Sequence, residues 1–394
     1  MISFKSSQFF ELKKKTDLVV PVPILNDNLK VTSDFFGEKL EPIGDFPRRV
    51  KIGETVFSSK ASKILSPVNG IAEIDEKKQV HFRIDGRLNF RAKFERKDYT
   101  FLELKDKLNA LGIVSLDLPG KNVSSLLDEF DASEDTIVIF APYTQENFFD
   151  YRALMQSKFK QELEAFKANI KKIFHKAQFI DYQTEKLTPY SYPDGHPRYF
   201  LYKHCGMNIE GELPVKKILY LGPETVYHIL NALYYDIPFH ERILSVVVIN
   251  RLGFQEGENR SYRVRNGTDM KEFLETIQSE CGYKYFTVNS FYEKQPVYEI
   301  GAEFVFDIYR HHSIIICEEL FHEKGEGVCT DCNDCSYFCP VSANPRALLE
   351  NDKSMFAKDI CLSCGLCSVF CPSHIDFADR IRFQKNRVQE NAVS

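Results

Sequence analysis

The sequence predicts a multidomain chain of α/β and α+β class, β-rich at its amino end and closed by a small cysteine-dominated unit. Three observations predict it. At 394 residues the chain is longer than one hydrophobic core ordinarily serves, so several domains are expected. Its apolar pattern changes near residue 98 from short alternating runs to strand-like runs interleaved with helical periods. Eight of its 11 cysteines lie between Cys329 and Cys371, which marks a separate unit with its own chemistry.

Residues 1–98 read as short strands at 18–20, 50–52, 55–57, 71–74 and 80–84, with turns at Gly53-Glu54, Asn69-Gly70 and Asp85-Gly86. The stretch 49–56 followed by 66–71 resembles half of a biotinyl/lipoyl-type barrel-sandwich module. Carrier domains of that type present a lysine inside a methionine-flanked motif, which residues 58–63 lack. The resemblance therefore implies a structural barrel-sandwich hybrid and no swinging arm. Residues 99–237 turn to α/β: a helix over 101–111, a buried strand over 136–140, a long helix over 151–177, a strand over 217–221 and a helix over 223–235. That last helix begins at Pro223, where a missing N–H is tolerated. The layer order is Rossmann-like. Residues 238–300 offer strands at 242–248, 262–264 and 285–288 around a helix at 270–279, a β-grasp arrangement. Residues 301–326 form a connector to the unit at 327–394.

That last unit carries the pattern C-x2-C-x2-C-x3-C-P twice: Cys329, Cys332, Cys335 and Cys339-Pro340, then Cys361, Cys364, Cys367 and Cys371-Pro372. Three thiolates spaced two residues apart wrap one face of an iron–sulfur cube, and the displaced fourth, followed by proline, ligates the other cube in two-cluster ferredoxins. The expected ligand sets are therefore crossed, with Cys329, Cys332, Cys335 and Cys371 on one [4Fe–4S] cluster and Cys361, Cys364, Cys367 and Cys339 on the other. Zinc sites use paired CxxC steps with ligands at other spacings, and disulfides need an oxidising compartment. Asn344-Pro345 predicts a helix start between the runs, continuing over 346–350. A capped helix over 376–387 follows, with Phe377 and Ile381 on one face and Arg380, Arg382, Lys385 and Arg387 around it, a solvated helix end able to face an acidic partner. Cys205, Cys281 and Cys317 stand singly in apolar surroundings and read as structural thiols. His311 and His312, adjacent on a strand, would point to opposite faces and so form no metal pair. Lys13, Lys14 and Lys15 read as exposed charge.

Net charge of −5 and a pI near 6.1, without a basic stripe, exclude a nucleic-acid binder. The first twelve residues lack the architecture of a signal peptide. No run reaches the roughly 18–20 apolar residues that span a bilayer, so no transmembrane segment of its own is expected. Reduced thiols fit a cytoplasmic location.

The order of these parts resembles the C subunit of the Rnf ion-translocating electron-transport complex, a family related to the A subunit of the Na+-translocating NADH-quinone reductase (Nqr) and to the flavin subunit of complex I. Local matches accompany it. Ser191-Tyr192-Pro193-Asp194-Gly195 looks like the family's Tyr-Pro-x-Gly-Gly, Gly222-Pro223-Glu224-Thr225 like its Asn-Val-x-Thr, and Ile237-Pro238-Phe239-His240-Glu241-Arg242 like its Ile-Pro-Leu-x-Glu-Arg. The resemblance implies a soluble-ligand-binding β-grasp (SLBB-like) unit at 238–300. It also implies a peripheral position on the inner face of the cell membrane, held by membrane subunits of an Rnf/Nqr-like complex, and a redox partner such as ferredoxin or a flavoprotein.

The family's glycine-rich loop, which admits a flavin or nucleotide phosphate, corresponds here to residues 112–122, where Gly112, Pro119, Gly120 and Lys121 remain as its degenerate trace. Leu116 and Leu118 would crowd a phosphate and Asp117 would repel it, so binding of FMN or NADH is doubtful. The family's Glu-Cys-Glu-Pro-Tyr is reduced to residues 141–147, with Glu146 as a loop carboxylate. The expected function is single-electron relay through two cubes. A competent NADH- or flavin-dependent dehydrogenase and a scaffold with structural clusters are the alternatives.

Overall fold

The computed structural model describes residues 19–21, 28–85, 94–117, 122–130, 136–141, 149–181, 197–205, 217–250, 256, 260–289, 297–318, 327–350 and 354–391. They form a mixed α/β protein with several separate sheets, none of which closes into a barrel among the described residues. Of the five expected amino-terminal strands, the one at 18–20 joins a different sheet, whereas the four after residue 48 lie within short antiparallel sheets. One runs in the order Asn28–Val31, Val80–Ile84, Gly70–Ile74, Arg48–Val50, and another joins Glu41–Pro42, Thr55–Ser58 and Lys63–Leu65. Alternation places Val80, Phe82 and Ala72 inside, the half-buried pattern of an antiparallel strand.

The next segment contains a parallel sheet of Gln178–Asp181, Thr136–Phe140 and Lys217–Leu221. Its first helix, Phe101–Ala110, opens on a capping box in which Thr100 and Glu103 satisfy each other's backbone amides. The long helix predicted over 151–177 is instead two, Tyr151–Lys158 and Lys160–Ile173. The break falls at Phe159, whose ring packs edge-on against Tyr227 and Tyr235; that packing outweighs the helical propensity of the flanking residues.

The stretch expected to be a β-grasp contributes to a six-stranded sheet ordered Val19–Pro21, Arg260–Arg265, Glu241–Ile249, Ser313–Cys317, Tyr285–Val288, Val297–Glu299, with the helix Lys271–Cys281. Two of these strands come from outside the 238–300 window. Ser313–Cys317, in the stretch read as a connector, lies centrally beside Glu241–Ile249 and parallel to it, with all five residues buried. An unbroken apolar run of that length is the signature of a fully buried strand. Val19–Pro21 adds parallel to Arg260–Arg265 at the edge. One apolar core runs from Leu29 to Ile316, joining all of these segments.

Residues from Cys335 to Ile381 share a smaller core around Ala343, Leu348, Phe356 and Phe377. The helix expected after Asn344 is a 3-10 turn, Pro345–Leu349, and Asn344 does not cap it: its φ is 54° and its Oδ1 accepts from Ser336 Oγ at 2.9 Å. The final helix, Phe377–Asn391, does begin with a cap, Asp379 N donating to Asp376 Oδ1 at 3.0 Å, and it buries Phe377 and Ile381 as expected. Among the described residues no helix is long and apolar enough to cross a membrane.

Candidate metal centres

A fixed shift along the chain takes Cys329, Cys332, Cys335 and Cys339 onto Cys361, Cys364, Cys367 and Cys371, and the backbone obeys it too. Asp331, Asn333 and Ser342 have φ of 59°, 63° and 54°; their counterparts Ser363, Gly365 and His374 have 57°, 78° and 56°. Each run then makes one helical turn, Asp334–Tyr337 and Leu366–Val369. After each fourth cysteine an amide turns toward its sulfur: Ala343 N lies 3.2 Å from Cys339 Sγ and Ile375 N lies 3.4 Å from Cys371 Sγ. The counterparts Phe338 and Phe370 stack on each other, ring centres 4.3 Å apart and planes at 26°. A residue that packs on its own counterpart lies on a local two-fold axis, so the duplicated sequence has folded as a symmetric pair. Gly327 lies so close to the Ser373 carbonyl that any side chain there would collide with it, which ties the beginning of the first run to the end of the second.

The thiols of the two runs meet across that axis. Burial raises the Cys335 thiol, with Cys371 and Cys332 among the thiols acting on it, and raises Cys367 further, where Cys339 and Cys335 of the other run act beside Cys364 and Cys361. All eight are unbridged. Among the described residues no group of three or more His, Cys, Asp or Glu is gathered closely enough to hold a metal ion as it stands. The donor set, the doubled backbone and the N–H···S contacts fit two cubes.

The upstream loop is different. Pro119, Gly120 and Lys121 lie outside the described residues, as do Glu146, residues 191–195 and Lys13, Lys14 and Lys15. Gly112 has φ of 65°. Asp117, only 5 % exposed, lies with its carboxylate directly against Gly222, the N-cap of helix Pro223–Tyr235, where a Cβ would strike it. Its Oδ2 accepts from Thr225 Oγ1 at 2.5 Å, and the Leu116 amide donates to the same hydroxyl at 3.0 Å. A helix N-terminus attracts anions through its free amides and dipole; here the chain's own carboxylate stands in that place. At this helix start a flavin or nucleotide phosphate would meet a carboxylate of like charge.

Two residues quoted above in separate motifs meet in the fold. Glu224 and Arg242, 0 % and 3 % exposed, form a two-pronged ion pair, Nε to Oε1 at 2.7 Å and Nη2 to Oε2 at 2.9 Å. Tyr151 donates to Glu224 Oε1 at 2.8 Å, and Arg242 Nη1 donates to the carbonyls of Ile308 and His311. Burial alone would raise the Glu224 carboxyl, but the charge and hydrogen bonds of Arg242 bring it down to about 2. The same burial holds His228 and His312 neutral, each lowered to about 3. His311 accepts from the Asp307 amide through Nδ1 and pairs with no metal partner among the described residues. Cys317 is buried, which pushes its thiol to about 11. A cavity of about 190 Å³ lies between Lys30, Asp34, Ile64 and Asp307, but Asp34 is already paired with Arg310 and Lys30 with Glu303. No family model matches the chain, and no curated protein matches it in sequence.

Proposed function

We propose that the chain is the iron–sulfur electron-transfer subunit of a membrane-associated oxidoreductase complex of the Rnf/Nqr type, holding two [4Fe–4S] clusters. In this reading residues 1–98 are the barrel-sandwich hybrid, 99–237 a domain like the flavin subunit of complex I, 238–300 the SLBB-like unit and 327–394 the ferredoxin-like unit. Partner membrane subunits hold it at the inner face of the membrane, and a ferredoxin or flavoprotein exchanges electrons with it. The observation that carries the proposal is the duplicated cysteine run folded as a symmetric pair about the Phe338–Phe370 contact, with a backbone amide turned to each fourth sulfur.

Cys329, Cys332, Cys335 and Cys371 would hold one cluster and Cys361, Cys364, Cys367 and Cys339 the other. Bound cubes of this kind supply one-electron chemistry at a potential set by hydrogen bonds and burial. The residues of the chain prepare that setting. The amides of Ala343 and Ile375 point at sulfur, the kind of hydrogen bond that tunes a cluster's potential. Short turns at positive φ fold each loop back over its own cysteines. Asp117 at the start of helix Pro223–Tyr235 favours relay over hydride chemistry in this reading, because a nucleotide phosphate there would meet its charge.

Anaerobic purification followed by iron and sulfide analysis tests the proposal. About eight of each per chain are expected, with an absorbance that dithionite bleaches and NADH alone does not. An iron-free preparation made under strict exclusion of oxygen overturns the relay. Co-purifying flavin with bleaching by NADH overturns it in favour of a dehydrogenase.

A further inference from the structure

We propose that the first cysteine run is the face through which the relay meets its soluble partner, and that among the redox partners the relay reading allows it selects a one-electron carrier protein with a basic rim over an acidic ferredoxin. The inference rests on the electron-relay reading and deepens it.

The local two-fold makes the comparison controlled, because the two loops share one backbone and differ only in side chains. The first loop is polar where the second is apolar: Thr330 stands opposite Leu362, Asp334 opposite Leu366, and Asn333 opposite Gly365. Exposure follows. Cys329 and Cys332 are exposed, while Cys361 is buried and Cys364 half-buried, and Leu366 is fully buried beside Leu362, Cys364 and Phe370. Identical backbones would bury equally if both loops faced the same surroundings, so the first loop is the one built to face outward.

The first loop also has the make-up of a transient docking patch. Val328 and Tyr337, 86 % and 67 % exposed, flank the outer cysteines with large apolar surface. Residues 327–334 carry two carboxylates, Asp331 and Asp334, and no basic side chain. Among the described residues a cation that reaches this loop is Arg346, two-thirds buried, which donates to Asp331 Oδ1 at 2.8 Å. A small apolar centre with a charged rim is how weak redox encounters combine close approach with fast release. The second run is backed by cations instead: Lys385 donates to the Cys361 carbonyl at 2.7 Å, and Arg380 and Arg382 are exposed on the same helix. An acidic carrier would be drawn to that helix, a basic one to the first loop. Apolar exposure and open cysteines coincide on the first loop, so the basic carrier is assigned. One electron passes from the reduced chain to the oxidised carrier; no bond forms or breaks and no proton moves.

The test uses the full chain with its metal, reduced with dithionite, desalted anaerobically and mixed with oxidised cytochrome c, a basic haem protein whose ferric iron accepts one electron. At low ionic strength the double charge reversal Asp331→Lys with Asp334→Lys is expected to slow cytochrome reduction about tenfold, and the difference should shrink as salt screens the contact. Asp359→Lys, an exposed reversal beside the second run, should change the rate less than about twofold. A readout independent of electron transfer is carbodiimide cross-linking: lysines of the cytochrome should join Asp331 or Asp334. Cross-links at Asp359, Asp376 or Asp379, or a rate that falls with Asp359→Lys and not with the double reversal, overturn the assignment in favour of the second run. Iron and sulfide analysis separates the two levels: variants with full metal content and unchanged rates sink the docking face alone, whereas a wild type without iron sinks the relay itself.

Discussion

Replacing Arg242 by methionine removes a guanidinium that satisfies both oxygens of Glu224 in a fully buried site. Two routes give the cost. Breaking one half of a buried ion pair costs about 3–5 kcal/mol, because the surviving charge is stranded without water. Independently, a carboxyl held at about 2 against an ordinary 4.5 corresponds to about 3 kcal/mol of pH-dependent stability. The routes agree, and the second fixes the sign. In the wild type the carboxyl is depressed, so its contribution is complete above its ordinary value and fades as pH falls toward the folded one. In the methionine variant burial acts unopposed and raises the carboxyl, so its contribution is present in acid and lost as pH rises. The stability gap should therefore be widest near neutral pH and narrow in mild acid. Thermal and urea denaturation followed by far-ultraviolet circular dichroism measures it, and adding Glu224→Gln to the variant should recover most of the loss. A neutral-pH loss under about 1 kcal/mol, or a gap that widens in acid, would refute the reasoning. Iron content should be unaffected, since the cysteine unit has its own core.

Other outcomes follow from the same geometry. Cys339→Ser should remove the spectroscopic signal of the second run's cluster and Cys371→Ser that of the first, read by electron paramagnetic resonance; damage confined to each cysteine's own run would contradict the crossing. Thr225→Val leaves Asp117 without its hydroxyl donor and should cost about 1–3 kcal/mol, measured by denaturant midpoint, with no flavin bound before or after. Phe338→Ala deletes one half of the stacked pair on the symmetry axis and should destabilise the cysteine unit by about 1 kcal/mol, seen as faster iron loss to a chelator.

Local signals carried well from sequence to fold. Pro223 starts its helix, Thr136–Phe140 and Tyr285–Val288 are strands, and Asp376 caps the last helix. These depend on residues within a turn or two of one another. What sequence reading missed depends on distant partners. Phe159 breaks a helix because Tyr227 and Tyr235 wait for its ring. Ser313–Cys317 looked like a connector because its neighbours in the sheet, Glu241–Ile249 and Tyr285–Val288, are far away in the chain. The cysteine spacing was legible at once, as was the repulsion Asp117 would exert on a phosphate. That Asp117 would itself stand at Gly222, or that Glu224 would grip Arg242, was not, since neither short motif announces its mate. A first-turn glutamate followed by helix rich in apolar residues was the one available hint, because a carboxylate in such a setting needs a cation.

The meeting of Gly327 with Ser373 has an engineering consequence. A stretch of polypeptide whose two ends adjoin can be cut out, or spliced into the surface turn of a host, without stretching either side. All eight clustered cysteines lie between those two residues, and together with the helix that supplies Phe377 and Ile381 to their core they form a cartridge that travels as one piece.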